Sequence, residues 1–200
     1  MAYSNIGYTL VVDILEQVTG QSFAKVLTQL VTQPLGLQRT SVLQDIGDLM
    51  PCVPGFGSEI TEDGSVVDVR GRYHPGWCAP RLVSSTPAEI TRTFDALFSR
   101  QLLAADTLRL MLALVPLPEL QKPPMVIDAG MGLFSNSASP YGRNYGHRGG
   151  GPGYDLTAGI YPDTPAGRVS VAVFVNSSGG QRAADLEYAV VGQLLGVPHS

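Results

Sequence analysis

Charge is scarce in this sequence. Asp, Glu, Lys and Arg make up only 15% of it, and the formal net charge is -4. No basic stripe is available to neutralise phosphates, which argues against a nucleic-acid partner. Cysteine is nearly absent too: Cys52 and Cys78 lack C-x-x-C spacing and form one bridge at most, so free, partly buried thiols are the default. The three histidines, His74, His147 and His199, are not spaced to make a metal site with their neighbours, and neither a metal nor another cofactor is expected. No apolar run reaches the roughly 18 residues of a membrane span. The N-terminus has no basic region followed by an apolar one, so no export signal is visible. That leaves both a periplasmic and a cytoplasmic location open for the full protein.

What is present suits one domain with a sizeable core: 200 residues, 44% of them hydrophobic. The 23 glycines and 15 prolines call for many turns and exclude a long coiled coil. Ile6, Leu10, Val11, Ile14, Leu15 and Val18 recur at helical spacing up to Gly20. Ser22 caps a second helix that buries Phe23, Val26, Leu27, Leu30 and Val31 and ends before Pro34. From Thr40 to Pro80 the pattern breaks into a long, irregular excursion with one short strand at Ser65 to Val69. Such an excursion is expected to lie over a site held by a more regular scaffold. Trp77, the only tryptophan, sits at its end and reads as core filler or, more sharply, as a pocket wall.

Thr86-Pro87-Ala88-Glu89 predicts a helix start with Glu89 closing a capping box, and Ile90, Phe94, Leu97 and Phe98 form its buried face. A further helix runs from about Ala105 to Leu114. Strands are expected at Gly130 to Ser135, Arg143 to Arg148, Leu156 to Tyr161 and Arg168 to Val175, the last two joined as a hairpin. Arg182 to Leu195 reads as an amphipathic helix covering one face of the sheet. The class is therefore α+β, with residues 1–125 mainly helix and loop and 126–200 carrying the strands and the closing helix.

One stretch is costly. In Tyr145 to Tyr154, six glycines and prolines surround His147. Glycine loses more conformational entropy on folding than any other residue, so a run of three marks a backbone that bends sharply or comes close to something else. A turn is the plain reading; a ligand is the other candidate.

Tyr3-Ser4-Asn5 at the mouth of the first helix, followed far downstream by His147-Arg148-Gly149 on a strand, resembles the serine β-lactamase and penicillin-binding-protein family, including its class C, DD-peptidase and esterase branches. Thr19-Gly20-Gln21-Ser22-Phe23, Pro34-Leu35-Gly36-Leu37, Leu82-Val83-Ser84-Ser85 and the Gly146 to Tyr154 stretch are similar to that family in the same order. The resemblance covers nearly the whole chain. It implies a β-lactamase/transpeptidase-like fold, an antiparallel sheet with a helical region, as a single domain whose N-terminal part is missing here.

It also implies acyl transfer through a serine on a small ester, amide, β-lactam or D-amino-acid peptide. That chemistry needs a base, donors for the oxyanion and a backbone edge to align the substrate. By the resemblance Tyr3 takes part in proton transfer and Asn5 hydrogen-bonds the substrate amide. His147 stands at the lysine of the family's Lys-Thr-Gly strand, Gly149 where a side chain would block the substrate, and Gly150 offers the oxyanion N–H. An imidazole is mostly neutral at pH 7 where an ammonium is charged, so such a site draws a substrate carboxylate less strongly, which tilts the reading away from penicillins. Arg148 replaces the usual small hydroxyl residue, and strand alternation directs it opposite His147.

The nucleophile is the departure from the pattern. The family's Ser-x-x-Lys precedes Tyr-x-Asn, on a helix that would lie before Met1. Ser22-Phe23-Ala24-Lys25 matches it letter for letter but in the wrong order, where the family has a helix-capping serine, and is read as a cap. Two readings follow: the C-terminal portion of a serine hydrolase, or a non-catalytic binding or complementing module of the same fold. In the first reading an unpaired edge and an uncovered apolar face invite association, whereas a soluble, stable monomer would favour the second.

Overall fold

The computed structural model describes residues 4–77, 81–121, 125–179 and 182–197. Helix α1 (Asn5–Thr19) opens where Ser4 Oγ accepts from the Gly7 N–H at 3.1 Å and closes at Gly20, whose φ of 64° is left-handed. Helix α2 (Phe23–Leu27) is capped by Ser22 as expected, then widens into a π turn over Thr28–Thr32. Val26 is buried, but Leu30, expected inside, points to solvent.

The excursion holds three short strands, β1 (Ser41–Val42), β2 (Phe56–Gly57) and β3 (Val67–Asp68); β1 pairs with β4 (Val83–Ser84) just beyond it. The strand expected from Ser65 is thus shorter, because Asp63 and Ser65 are spent on a turn. Helix α3 (Pro87–Phe98) starts at Thr86, which accepts from the Glu89 N–H. The Glu89 carboxylate, expected to close a box on its own helix, accepts instead from Gln38 N, Arg39 N and Thr40 Oγ1, tying α3 to the loop before β1. Helix α4 (Ala105–Met111) stops a turn earlier than its apolar pattern suggests.

Six strands form the main sheet: β5 (Val115–Pro116), β6 (Ile127–Ala129), β7 (Phe134–Asn136), β8 (Asn144–Gly151), β9 (Tyr154–Thr164) and β10 (Gly167–Val175), in the order β10-β9-β8-β7-β6-β5 with every pair antiparallel. The strand expected from Gly130 begins only at Phe134. Gly130 to Leu133 form the β6–β7 turn, closed by Gly130 N–H to Leu133 O, with Gly132 at φ 78°. The β8 strand runs through Gly150 and Gly151, so the bend falls at Pro152-Gly153 rather than in the glycine run. Gly153 has φ 76°, and a Cβ there would come within 2.7 Å of Val69 Cγ2 and 2.8 Å of the Gly55 carbonyl carbon. A proline followed by a left-handed glycine is the chemistry of a type II turn.

Helix α5 (Arg182–Leu195) matches its expected span. Its Val191 packs into a core of Tyr141, Tyr161, Val169 and Val171. Successive strand residues face opposite ways. Tyr145 stacks on Phe98 of α3 while Asn144 bonds Glu187 of α5, so the two helices cover opposite faces of the sheet.

Candidate functional site

Register builds the site. Strand β8 pairs with β7 only over Asn144, Tyr145 and Gly146, while on its other side it pairs with β9 all the way to Gly151. Past Gly146 it leaves β7, so from Arg148 to Gly151 one edge of β8 carries no strand partner among the described residues. Alternation then sets which N–H groups face that edge. Gly151 and Tyr154 close the two-residue turn and so bond each other. The next pair, Gly150 and Asp155, is a non-bonded one, which directs the Gly150 N–H and carbonyl away from β9 into the open edge. Gly149 falls back into the ladder opposite Leu156, and a Cβ on it would stand 3.0 Å from Leu156 Cδ1.

His147 lies where β8 parts from β7. Its ring stacks on Phe134 with centroids 4.9 Å apart, and Nδ1 is 2.5 Å from the Arg148 carbonyl oxygen. A carbonyl only accepts, so Nδ1 is the donor in this contact. Pairing with Ala158 and Thr157 respectively places His147 and Arg148 on alternate faces of β8.

Of the other residues singled out by resemblance, Asn5 is the exposed first residue of α1 and Tyr3 lies outside the described residues, as does Cys78, the possible bridge partner of Cys52. The link from α1 to the sheet is Tyr8, whose hydroxyl accepts from the Gly132 N–H at 3.2 Å, two residues before Phe134. That contact, the β7 strand and the Phe134–His147 stack join the α1 side of the molecule to His147. Ser22 Oγ accepts from the Lys25 N–H at 3.4 Å, so the Ser-x-x-Lys look-alike is occupied as a helix cap.

The excursion docks at the far end of β8. Phe56 N–H donates to Asn176 O, Ser178 N–H to Phe56 O, and Asn176 Nδ2 to Pro54 O, binding β2 beside the chain leaving β10. Tyr154 lays its ring on Gly55 and donates to Val53 O at 2.7 Å; burial first, then Cys52 and Tyr73, pushes its pKa up to about 12. Arg70 pairs with Asp68 and donates to the Met50 and Cys52 carbonyls, while the Cys52 thiol is free. Between this loop and the hairpin tip lies a groove of about 670 Å³ lined by Trp77, Tyr73, Glu59 and the Gly150-Gly151 backbone. Trp77, 53% exposed, is a pocket wall and not core. A smaller cavity of about 270 Å³ lies against β7, β8 and α5, with Glu187 and His147 in its lining.

The family model described as Beta-lactamase matches residues 1–195.

The chain belongs to the β-lactamase family.

Among solved structures it is similar to a D-stereospecific amidohydrolase from Streptomyces sp., with a TM-score of 0.79 at 23% identity over 98% of this chain and 55% of that one. It is similar to a D-amino acid amidase from Ochrobactrum anthropi SV3 complexed with L-phenylalanine amide, with a TM-score of 0.76 at 24% identity over 97% and 57%. An octameric penicillin-binding protein homologue from Pyrococcus abyssi gives a TM-score of 0.77 at 22% identity over 98% and 42%. These likenesses establish the β-lactamase/transpeptidase-like fold, and the chain spans little more than half the length of the first two. No curated protein matches. Among the described residues, no helix is long and apolar enough to cross a membrane.

Sequence reasoning missed Glu59, Tyr73, Phe134 and Ser178. Glu59 stands in a Gly- and Pro-rich stretch with no local pattern to mark it. Phe134 fell inside an expected strand, but its stacking partner is 13 residues away.

Proposed function

We propose that this chain forms the substrate-aligning, oxyanion-binding part of a serine hydrolase that acts through an acyl-enzyme on a small amide, ester or β-lactam. The nucleophile in this reading is the serine of a Ser-x-x-Lys segment outside residues 1–200. The observation that carries the proposal is the open edge of β8 with the Gly150 N–H directed into it. A substrate laid along that edge as an extra strand presents its carbonyl oxygen to Gly150. Attack by the serine oxygen forms the C–O bond and moves the serine proton to a base. The oxyanion is held by Gly150, and collapse breaks the bond to the leaving group, which takes up the proton; water then releases the acyl group. In this scheme Tyr3 and His147 handle protons and Asn5 holds the substrate amide. Amides of D-amino acids are the favoured class, since the names of two structural neighbours specify D-stereospecific amidohydrolase and D-amino acid amidase.

Reading the coding sequence upstream of Met1 tests this first. An in-frame Ser-x-x-Lys is expected; a stop before any such motif overturns the reading. Intact-mass measurement after exposure to an activated ester tests it chemically. The 200-residue chain stays at its own mass, while the extended protein gains one acyl group on the upstream serine. An adduct on Ser22 would overturn the cap assignment, and an extended protein that is never acylated would overturn the hydrolase reading.

A further inference from the structure

The groove beyond Gly150 has walls of unusual character for a site that follows an oxyanion donor. Trp77 stands against Gly151, where a Cβ would come 3.2 Å from Trp77 Cζ2, and meets Tyr73 edge-on at 6.2 Å. Its indole is half exposed, so one aromatic surface remains open to a ligand. Charge in the groove is all of one sign: Glu59 and Asp155 line it, and no Lys, Arg or His is among its described lining residues. Asp155 is committed, since its carboxylate accepts from the Ala183 N–H at the start of α5 at 2.9 Å. Glu59 is exposed, and its Oε2 shares the space beside Gly57 with Ser178 Oγ and the Gly153 nitrogen. The Ser178 hydroxyl, more than any other group, keeps its carboxyl below the usual range. Ser178 is itself fixed, accepting from the Gly153 N–H at 3.1 Å. The carboxylate thus lines the same groove as the exposed tryptophan, and the ion pairs among the described residues do not include it.

We propose that this groove is a subsite for an ammonium-bearing acyl group, with Glu59 as the charge anchor and Trp77 as the stacking wall. The inference rests on the acyl-transfer reading, with the acyl side of a carbonyl placed at the Gly150 N–H taken to run on along β8 toward Gly151, which Trp77 borders. Complementarity decides the occupant. A carboxylate-bearing group would be repelled by Glu59, and a neutral one would gain nothing from that charge. An ammonium gains both the carboxylate and the indole face.

The chain's single tryptophan supplies the readout. D-Phenylalaninamide, which carries a free ammonium, is titrated into the chain and Trp77 fluorescence is followed with excitation on the indole alone. N-acetyl-D-phenylalaninamide keeps ring and amide but not the charge. The expected result is saturable binding of the first and at least about tenfold weaker binding of the second, as loss of a charge-assisted hydrogen bond predicts. Glu59→Gln, which keeps an acceptor for Ser178 and Gly153, should remove that preference while its unfolding midpoint stays near the parent's. Calorimetric titration of Trp77→Phe checks the signal and should show weakened binding. Equal affinity for the two ligands, or a charge preference unchanged in Glu59→Gln, overturns the subsite. An extended protein that hydrolyses amides without preferring a free amine also overturns it, and leaves the hydrolase reading standing. Charge-selective binding beside an extended protein that is never acylated upholds the subsite and removes the hydrolase reading.

Discussion

Gly150 and Tyr154 are four residues apart and stand for opposite uses of the backbone. Gly150 contributes an N–H, not a side chain: a Cβ there meets only the Tyr154 carbonyl, at 3.9 Å. Gly150→Ala should therefore retain activity in the extended, nucleophile-bearing protein. Gly150→Pro deletes the donor at a position outside the β9 ladder and should lower kcat by roughly 100- to 1000-fold. Matched kinetics decide it; equal kcat in the two variants would show that the N–H is not used. Tyr154 contributes a phenol that stays protonated in the fold, with a pKa of about 12. The unfolded chain loses that proton near pH 10. Between those values the unfolded state binds fewer protons than the native one, so stability is intact below about pH 10 and falls as pH rises toward 12. Urea midpoints at pH 9 and pH 11 should show the drop, and Tyr154→Phe should reduce it without abolishing it, since the Tyr161 pKa is raised as well. An equal drop in the variant would place the alkaline loss elsewhere, Tyr161 being the next phenol pushed upward, by burial and then by Glu187. The glycine run was legible as a backbone feature. That the Gly150 N–H is the one facing outward was implied only by the family resemblance, because its direction depends on pairing with residues 155 to 158.

Among the elements, α5 shows how a polar side chain can fasten a helix to a sheet. Glu187, 6% exposed, accepts from Thr157 Oγ1 at 2.6 Å and Tyr161 OH at 2.9 Å, with Asn144 Nδ2 at 3.5 Å. Removing the carboxylate strands these donors in the interior. Glu187→Ala should cost about 2–4 kcal/mol at pH 7, and Glu187→Gln, which keeps one acceptor oxygen, should cost less. Denaturant unfolding of both variants measures this, and a cost below about 1 kcal/mol for the alanine would mean that water replaces the network. The span of α5 was readable because its apolar residues keep helical period. That Glu187 faces the sheet was not, since a glutamate on an amphipathic helix reads as solvent-facing. The capping glutamate of α3 shows the same limit: Thr86 behaved locally, while Glu89 found a longer-range bond to residues 38–40.

Taken whole, the molecule leaves apolar surface uncovered. On α1, Ile6, Leu10, Ile14 and Val18 are 58–81% exposed, and on α5 Leu186, Val190 and Leu194 form a second exposed stripe. Strand β10 stands at the sheet edge with nine residues and an unpaired outer side among the described residues. Long open edges and apolar stripes of this kind promote association. Sedimentation velocity at micromolar concentration should find associated species. A clean monomer with one cooperative thermal transition would count against it. Most caps and turn residues, the α+β class and the family signature were legible along the chain, because each depends on neighbours within a few positions or on motif order. That β8 parts from β7 after Gly146, that Glu59 shares the groove with Trp77, and which helix faces stay exposed were not, although a pocket wall at Trp77 and an uncovered apolar surface were expected. Each arises from residues tens of positions apart, or from a face whose partner no local pattern names, and only the packed sheet brings the first together and shows the second uncovered.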